Sequence, residues 1–144
     1  MVTAMMIAEA IGRRDVLRER PADYSAVARR TREELPYAAL AAVAKRYRIP
    51  LATLAHVIGL TEHTRARRKK ERHLTADESD RLLRVARVAT SAEDVLGAQA
   101  KAGRWLQNPN RALGGAIPLD LLDTDLGAEE VVTILDRIEH DVYS

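Results

Sequence analysis

Apolar side chains recur at helical spacing along most of this chain, and the pattern predicts helices rather than strands. Over residues 37–48, Leu40, Val43, Ala44 and Tyr47 fall at i, i+3, i+4 and i+7, the mark of one buried helical face. Pro50 stops that helix, because the residue before a proline disfavours the α region. A short helix is expected from Leu51 to Ile58, with Leu54, Ala55 and Ile58 inward and Gly59 placed for a left-handed C-cap. Thr61 then suits the N-cap of a helix running through TEHTRARRKKER to about Arg72.

The second half continues in the same way. A helix is expected from near Thr75, with Asp77 and Glu78 in its first turn and Leu82, Val85, Ala86, Ala89, Val95 and Leu96 inward. A shorter one covers roughly Ala98 to Leu106 and is broken by Asn108-Pro109-Asn110. Gly114-Gly115 makes a turn, and Pro118 suits the first position of a short helix through Leu122. Thr124 caps a final helix striped by Ala128, Val131, Leu135, Ile138 and Val142. Residues 1–35 have helical composition around Met5, Met6, Ile7 and Ile11, are interrupted at Arg20-Pro21, and are weakly determined.

Composition sharpens this to an all-α reading. Four Tyr, one Trp and no Phe leave the core to Leu, Val, Ile and Ala. The absence of cysteine excludes disulfides, thiolate zinc sites and a cysteine nucleophile, and it fits a reducing compartment. No apolar run approaches the ~20 residues of a membrane span, and the N-terminus lacks the pattern of a signal peptide. A soluble cytoplasmic protein with no membrane partner is expected. The net charge of +2 hides a division: residues 1–74 carry 16 basic and 8 acidic side chains, residues 75–144 carry 7 and 13. Two surfaces with different partners follow, one of them suited to a polyanion. The expected organisation is a helical segment at 1–35, a helix-turn-helix domain at 36–74 and a small helical domain at 75–144.

Residues 51–68, LATLAHVIGLTEHTRARR, have the spacing of a DNA-binding helix-turn-helix. Ala55 is small where the two helices cross, Gly59 permits the tight turn, and Thr61 opens the helix whose first residues would enter the major groove. Arg65, Arg67, Arg68, Lys69, Lys70 and Arg72 place six bases within eight residues, a phosphate-neutralising run. The candidate DNA contacts are Thr61, Glu62, His63, Arg65, Arg67, Arg68, Lys69 and Lys70. Arg65 departs from the pattern. The fifth position of the second helix ordinarily holds an aliphatic anchor, and a guanidinium there must snorkel or find a partner. A plain helical pair with a solvated basic face is the other reading of these residues.

Sharper chemistry finds little support. There is no HExxH and no Cys-His set, so the four histidines do not suggest a metal site. His56 is expected to be partly buried, His63 to touch DNA or solvent, and His73 and His140 to sit at helix ends where a cation favours the dipole. Glu139-His140-Asp141 has acid–base residue types, but adjacent residues on a helix point apart. Gly114-Gly115 lacks the surroundings of a phosphate loop, and Trp105 reads as a core anchor. Neither catalysis, a cofactor nor a small-molecule substrate is expected.

From the helix-turn-helix onward the sequence resembles the Xre antitoxins of the MbcA/ParS/Xre family, partners of RES-domain toxins. The resemblance is carried by Thr64–Arg68, LTADESDRLLRVARV at Leu74–Val88, Trp105-Leu106, Asn108-Pro109, ALGG at Ala112–Gly115 and PLDLL at Pro118–Leu122. Thr124, Gly127 and RIEHDVYS at Arg137–Ser144 complete it. It implies a type II antitoxin that binds a RES-type, NAD-degrading toxin, covers its active site and represses their shared operon by binding operator DNA. It also implies a homodimer, formed through the C-terminal domain, within a larger toxin–antitoxin complex. A pocket that cleaves NAD must accept phosphates, which an acidic element can mimic. Asp136, Glu139, Asp141, Val142, Tyr143 and the Ser144 carboxylate are therefore the candidate toxin contacts, with Tyr143 as an aromatic anchor. The alternative for these acids is the solvated face of a core helix. The alternative for the whole chain is a stand-alone helix-turn-helix transcriptional regulator without a toxin.

Overall fold

The computed structural model describes residues 3–12 and 34–143, and the side chains to 141. In chain order the helices are α1 (Ala4–Ala10), α2 (Ala38–Tyr47), α3 (Leu51–Val57), α4 (Glu62–Glu71), α5 (Ala76–Leu96), α6 (Gln99–Gln107) and α7 (Asp125–Tyr143). Two 3₁₀ turns, Arg111–Leu113 and Pro118–Asp123, lie between α6 and α7. The fold is all-α, and the only strand-like pairing among the described residues is an isolated antiparallel bridge between Pro36 and His73. No described helix is long and apolar enough to cross a membrane.

Helix α5 organises the rest. Thr75 and Glu78 close a full capping box at its start, each side chain bonded to the other's backbone amide. Gly97 ends it at φ +86. Its inward side buries Leu82, Val85, Ala86, Val88, Ala89 and Ala92, and helices α1, α2, α6 and α7 all pack on it. The hydrophobic cluster is continuous from Ala4 to Leu135, so the charge boundary near residue 75 is crossed by one core.

Close backbone approach decides two positions. A Cβ at Gly103 would stand 1.9 Å from the carbonyl oxygen of Tyr47, so only glycine lets α6 lie across the end of α2. A Cβ at Gly127 would stand 1.9 Å from the carbonyl oxygen of Leu121, which seats α7 on the preceding 3₁₀ turn. Arg84 secures that junction, donating from Nε to Asp125 at 2.9 Å and from its terminal nitrogen to the carbonyls of Leu122 and Asp123.

Several expectations are adjusted. Residues 4–10 form a real helix with Thr3 as its cap, and Ile7 and Ile11 are buried in the main core. The Arg20-Pro21 break lies outside the described residues. The short helix expected at Pro118 is present as a 3₁₀ helix over Pro118–Asp123, as suits six residues led by proline. Trp105 packs at the edge of the core, half-buried, because α6 turns its small residues Ala102 and Gly103 inward. His56 is exposed, since Leu54, Ala55 and Val57 take the buried face of α3. Ile138 is half-buried, and the side chain of Val142 lies outside the described residues.

Substituting alanine at Gly103 or Gly127 is expected to cost about 3 kcal/mol, because a backbone must move to admit the methyl. Gly97→Ala, where φ is positive but space is open, should cost only about 1 kcal/mol. Urea unfolding of the three variants measures the contrast, and equal losses would contradict it.

Candidate functional site

The helix-turn-helix geometry comes from local sequence. Pro50 precedes α3, and Gly59 makes the turn at φ +84. The Arg81 guanidinium passes over that glycine and donates to the Ile58 carbonyl at 3.3 Å. Thr61 caps α4, its Oγ1 accepting from the Thr64 amide at 3.1 Å. The module is closed by backbone bonds from Tyr37 N to Arg72 O and from Leu74 N to Leu35 O, while Leu35 N donates to the buried Ser79 hydroxyl. His73 Nδ1 meets Glu34 at 3.0 Å beside this closure.

Helix α4 buries none of its own residues. The core holds Leu60 just before it and Leu74 just after it, so the helix is tethered at its ends. Thr61, Glu62, His63, Arg67, Lys69 and Lys70 are all exposed. Arg65 is half-buried and lines a notch of about 290 Å³ with Ala52, Ala55, His56, Leu60, Thr61 and Glu62. An aliphatic anchor at position 65 would have that space to fill.

Arg68 stands apart from the other bases. Its guanidinium turns inward, with Nε 2.8 Å and the terminal nitrogen 3.1 Å from the two Glu78 oxygens, a bidentate pair. The two side chains are only 13% and 9% exposed, so the bond is shielded from solvent. Glu71 lies 3.4 Å from the same guanidinium. The structure thus separates Arg68 from Lys69 and Lys70, although all three are neighbours in one basic run. No local signal marks this, because the partner lies ten residues on, in the next helix.

Burial alone would raise the Glu78 carboxyl, but the Arg68 guanidinium and the Thr75 amide together hold it below the usual 4.5. A further polar link joins α2 to α5. The fully buried Tyr47 donates its hydroxyl to Glu93 at 2.8 Å, and Arg46 reaches the same carboxylate at 3.3 Å. Burial and the nearby carboxylate push the Tyr47 phenol well above its ordinary value.

At the other end, α7 presents a separate surface. Asp136 and Asp141 are exposed and Glu139 is half-buried. Val142 and Tyr143 belong to the helix but their side chains lie outside the described residues, as does Ser144. On the same helix Leu126 is 76% exposed. It borders an open groove of about 580 Å³ with Ala112, Leu113, Glu129, Glu130, Thr133, Ile134 and Arg137. This groove, with apolar, acidic and basic side chains in its walls, was not foreseen from sequence, where Leu126 sits outside the helical stripe.

Comparison with known proteins matches both surfaces. Residues 26–87 fit the antitoxin Xre-like helix-turn-helix domain, and residues 91–140 fit the antitoxin Xre/MbcA/ParS C-terminal toxin-binding domain. The chain belongs to the Xre antitoxin family. A protein named Antitoxin Xre from Yersinia enterocolitica is 36% identical over 98 residues, 67% of this chain and 66% of its own. Those from Photorhabdus laumondii and Pseudomonas putida are 44% identical over 71 residues and 38% over 90. These two alignments cover 49% and 62% of this chain. This chain spans 48% and 50% of those two relatives, so the shared part is about half to two thirds of the curated relatives' length. The boundary between the two family domains falls inside α5, between residues 87 and 91.

Because Glu78 titrates lower in the folded state than in the unfolded chain, its ionised form contributes stability above the unfolded value. That contribution is lost as pH falls through the folded one. Between neutral pH and about pH 3 the wild-type Tm should therefore fall further than that of Glu78→Gln. Thermal melts across that range test it, and identical acid sensitivity would remove the Arg68–Glu78 pair from the account.

Proposed function

We propose that this chain is the antitoxin of a type II toxin–antitoxin pair. Its C-terminal domain binds and neutralises a RES-type, NAD-degrading toxin, and its basic helix-turn-helix represses the operon that encodes both. The observation that carries this reading is the coincidence of two matches with two segments of opposite charge. The Xre-like helix-turn-helix match covers the basic α3–α4 unit, and the toxin-binding match covers the acidic segment ending in α7. The chain itself supplies no chemistry in this scheme, and it acts in the cytoplasm as a homodimer within a larger complex with its toxin.

On the toxin side, Asp136, Glu139 and Asp141, with Val142, Tyr143 and Ser144, form the element that enters the nucleotide pocket. Exposed carboxylates can occupy a site built for phosphates, because the pocket's positive potential attracts either anion. On the DNA side, Thr61, Glu62 and His63 at the start of α4 face the groove, and Arg65, Arg67, Lys69 and Lys70 neutralise phosphates.

The two arms separate experimentally. The product of an adjacent RES-type gene should co-purify with this chain, and co-expression should restore cellular NAD. Deleting residues 139–144 leaves Val131 and Leu135 in the core, so the truncated chain should stay folded yet fail to rescue. Full rescue by that truncation would refute the pocket-filling role. For the DNA arm, affinity for the duplex upstream of its own gene should fall steeply with salt, at about 0.9 logarithmic units per neutralised phosphate. A flat salt response, or no binding at low salt, would refute repression by this helix-turn-helix.

A further inference from the structure

We infer that Glu78 and Arg68 form a positioning pair that sets the seat of helix α4 on the protein, and that Arg68 is not a phosphate contact. The inference rests on the DNA-binding reading of α4 and concerns how that helix is held.

A recognition helix must keep its angle to the body of the protein, or its side chains cannot meet base edges in register. Apolar packing usually supplies this, yet α4 buries no residue and its fourth residue is Arg65, beside an open notch. Along the length of α4, the one shielded attachment to a neighbouring helix among the described hydrogen bonds and ion pairs is the bidentate Arg68–Glu78 contact. Glu78 is itself rigid. It is the N3 residue of the α5 capping box, accepting from the Thr75 amide at 2.9 Å with the same oxygen that meets Arg68 Nε. A planar guanidinium held by two parallel bonds to a fixed carboxylate restrains both position and rotation. An amine at position 68 would be held at a single point. Arg67, with its Glu71 contact 57% and 40% exposed, is a surface pair that holds little.

A positioning pair and a phosphate contact leave different traces in salt. Loss of a phosphate contact weakens binding and lowers the salt slope by about one, whereas loss of positioning weakens specific binding with the slope intact. The probe is the duplex upstream of the chain's own gene, titrated with the full chain at several salt concentrations. Lys69→Ala serves as the phosphate-contact control and should lower the slope by about one. Glu78→Gln keeps an acceptor for the capping box but removes the charge, and should weaken specific binding about tenfold at unchanged slope. Arg68→Met should do the same. The double variant Arg68→Met, Glu78→Leu replaces the pair with apolar side chains of similar volume, removes the unpaired charge and should recover to within about threefold of wild type. Retained co-purification with the toxin shows that each variant is folded.

If Arg68→Met lowers the slope by about one while Glu78→Gln binds as wild type, Arg68 touches phosphate and the inference is overturned. If the double variant binds no better than either single one, the pair does more than position the helix, and the inference fails. If wild type binds no duplex at low salt, the DNA reading itself fails. That result is distinguishable because every variant is then equally silent.

Discussion

The buried face of α5 is the constraint on which the rest of the structure depends. Six inward residues, Leu82, Val85, Ala86, Val88, Ala89 and Ala92, give the other helices a common surface. With no Phe, one half-buried Trp and Tyr47 the one buried aromatic among the described residues, the core is built mostly from Ala, Leu, Val and Ile, so helices must approach closely to exclude water. That explains the glycines at 103 and 127, where one backbone rests directly on another. It also explains why α5 runs through the join between the two family domains. A linker there would split a core too poor in large side chains to be divided.

The uneven charge distribution looks different once the helices are placed. A basic half and an acidic half suggest two independent bodies, yet two shielded ion pairs cross the divide. Arg46 reaches Glu93, and Arg68 reaches Glu78. In each, a base from the first half is held by an acid on α5. Lys69 and Lys70 remain exposed on α4, and Asp125, Glu129, Glu130 and Asp136 remain exposed on α7. The arrangement suits a protein whose two faces engage opposite charges, because bases outnumber the acids Glu62 and Glu71 on α4 and acids outnumber bases on α7.

Much of this was legible in the sequence where the signal is local. Thr61 and Thr124 each cap a helix start as their positions imply, since a hydroxyl meets an amide only three residues on. Gly59 takes positive φ for the same kind of reason. The partner of Arg68 was not legible, because one basic residue in a run of six looks like the next until the following helix is in place. His56 was misjudged as partly buried, since a seven-residue helix gives too short a period to tell its faces apart. The groove beside Leu126 depends on where the Ala112–Leu113 turn folds back, which no helical pattern encodes. Of the candidate toxin contacts, Asp136, Glu139 and Asp141 share α7 simply because they are close in sequence. What they meet is a property of the partner.

An ion pair is an unusual choice for holding a helix that, on the proposed reading, approaches a polyanion. Attraction to DNA phosphate works through exposed charges and is screened over a Debye length of about 8 Å at physiological salt. The Arg68–Glu78 contact is short, bidentate and shielded, so the same salt reaches it far less. On that reading, raising salt weakens the grip on DNA without loosening the helix that makes it. Apolar packing at position 65 would achieve the same separation, but here the space beside Arg65 stays open. The cost falls on the carboxylate. Burial disfavours the charged form of Glu78, and Arg68 and the Thr75 amide outweigh it, holding the carboxyl below its usual range. The cap of one helix and the anchor of another are thus a single side chain. The start of α5 and the seat of α4 cannot be altered independently.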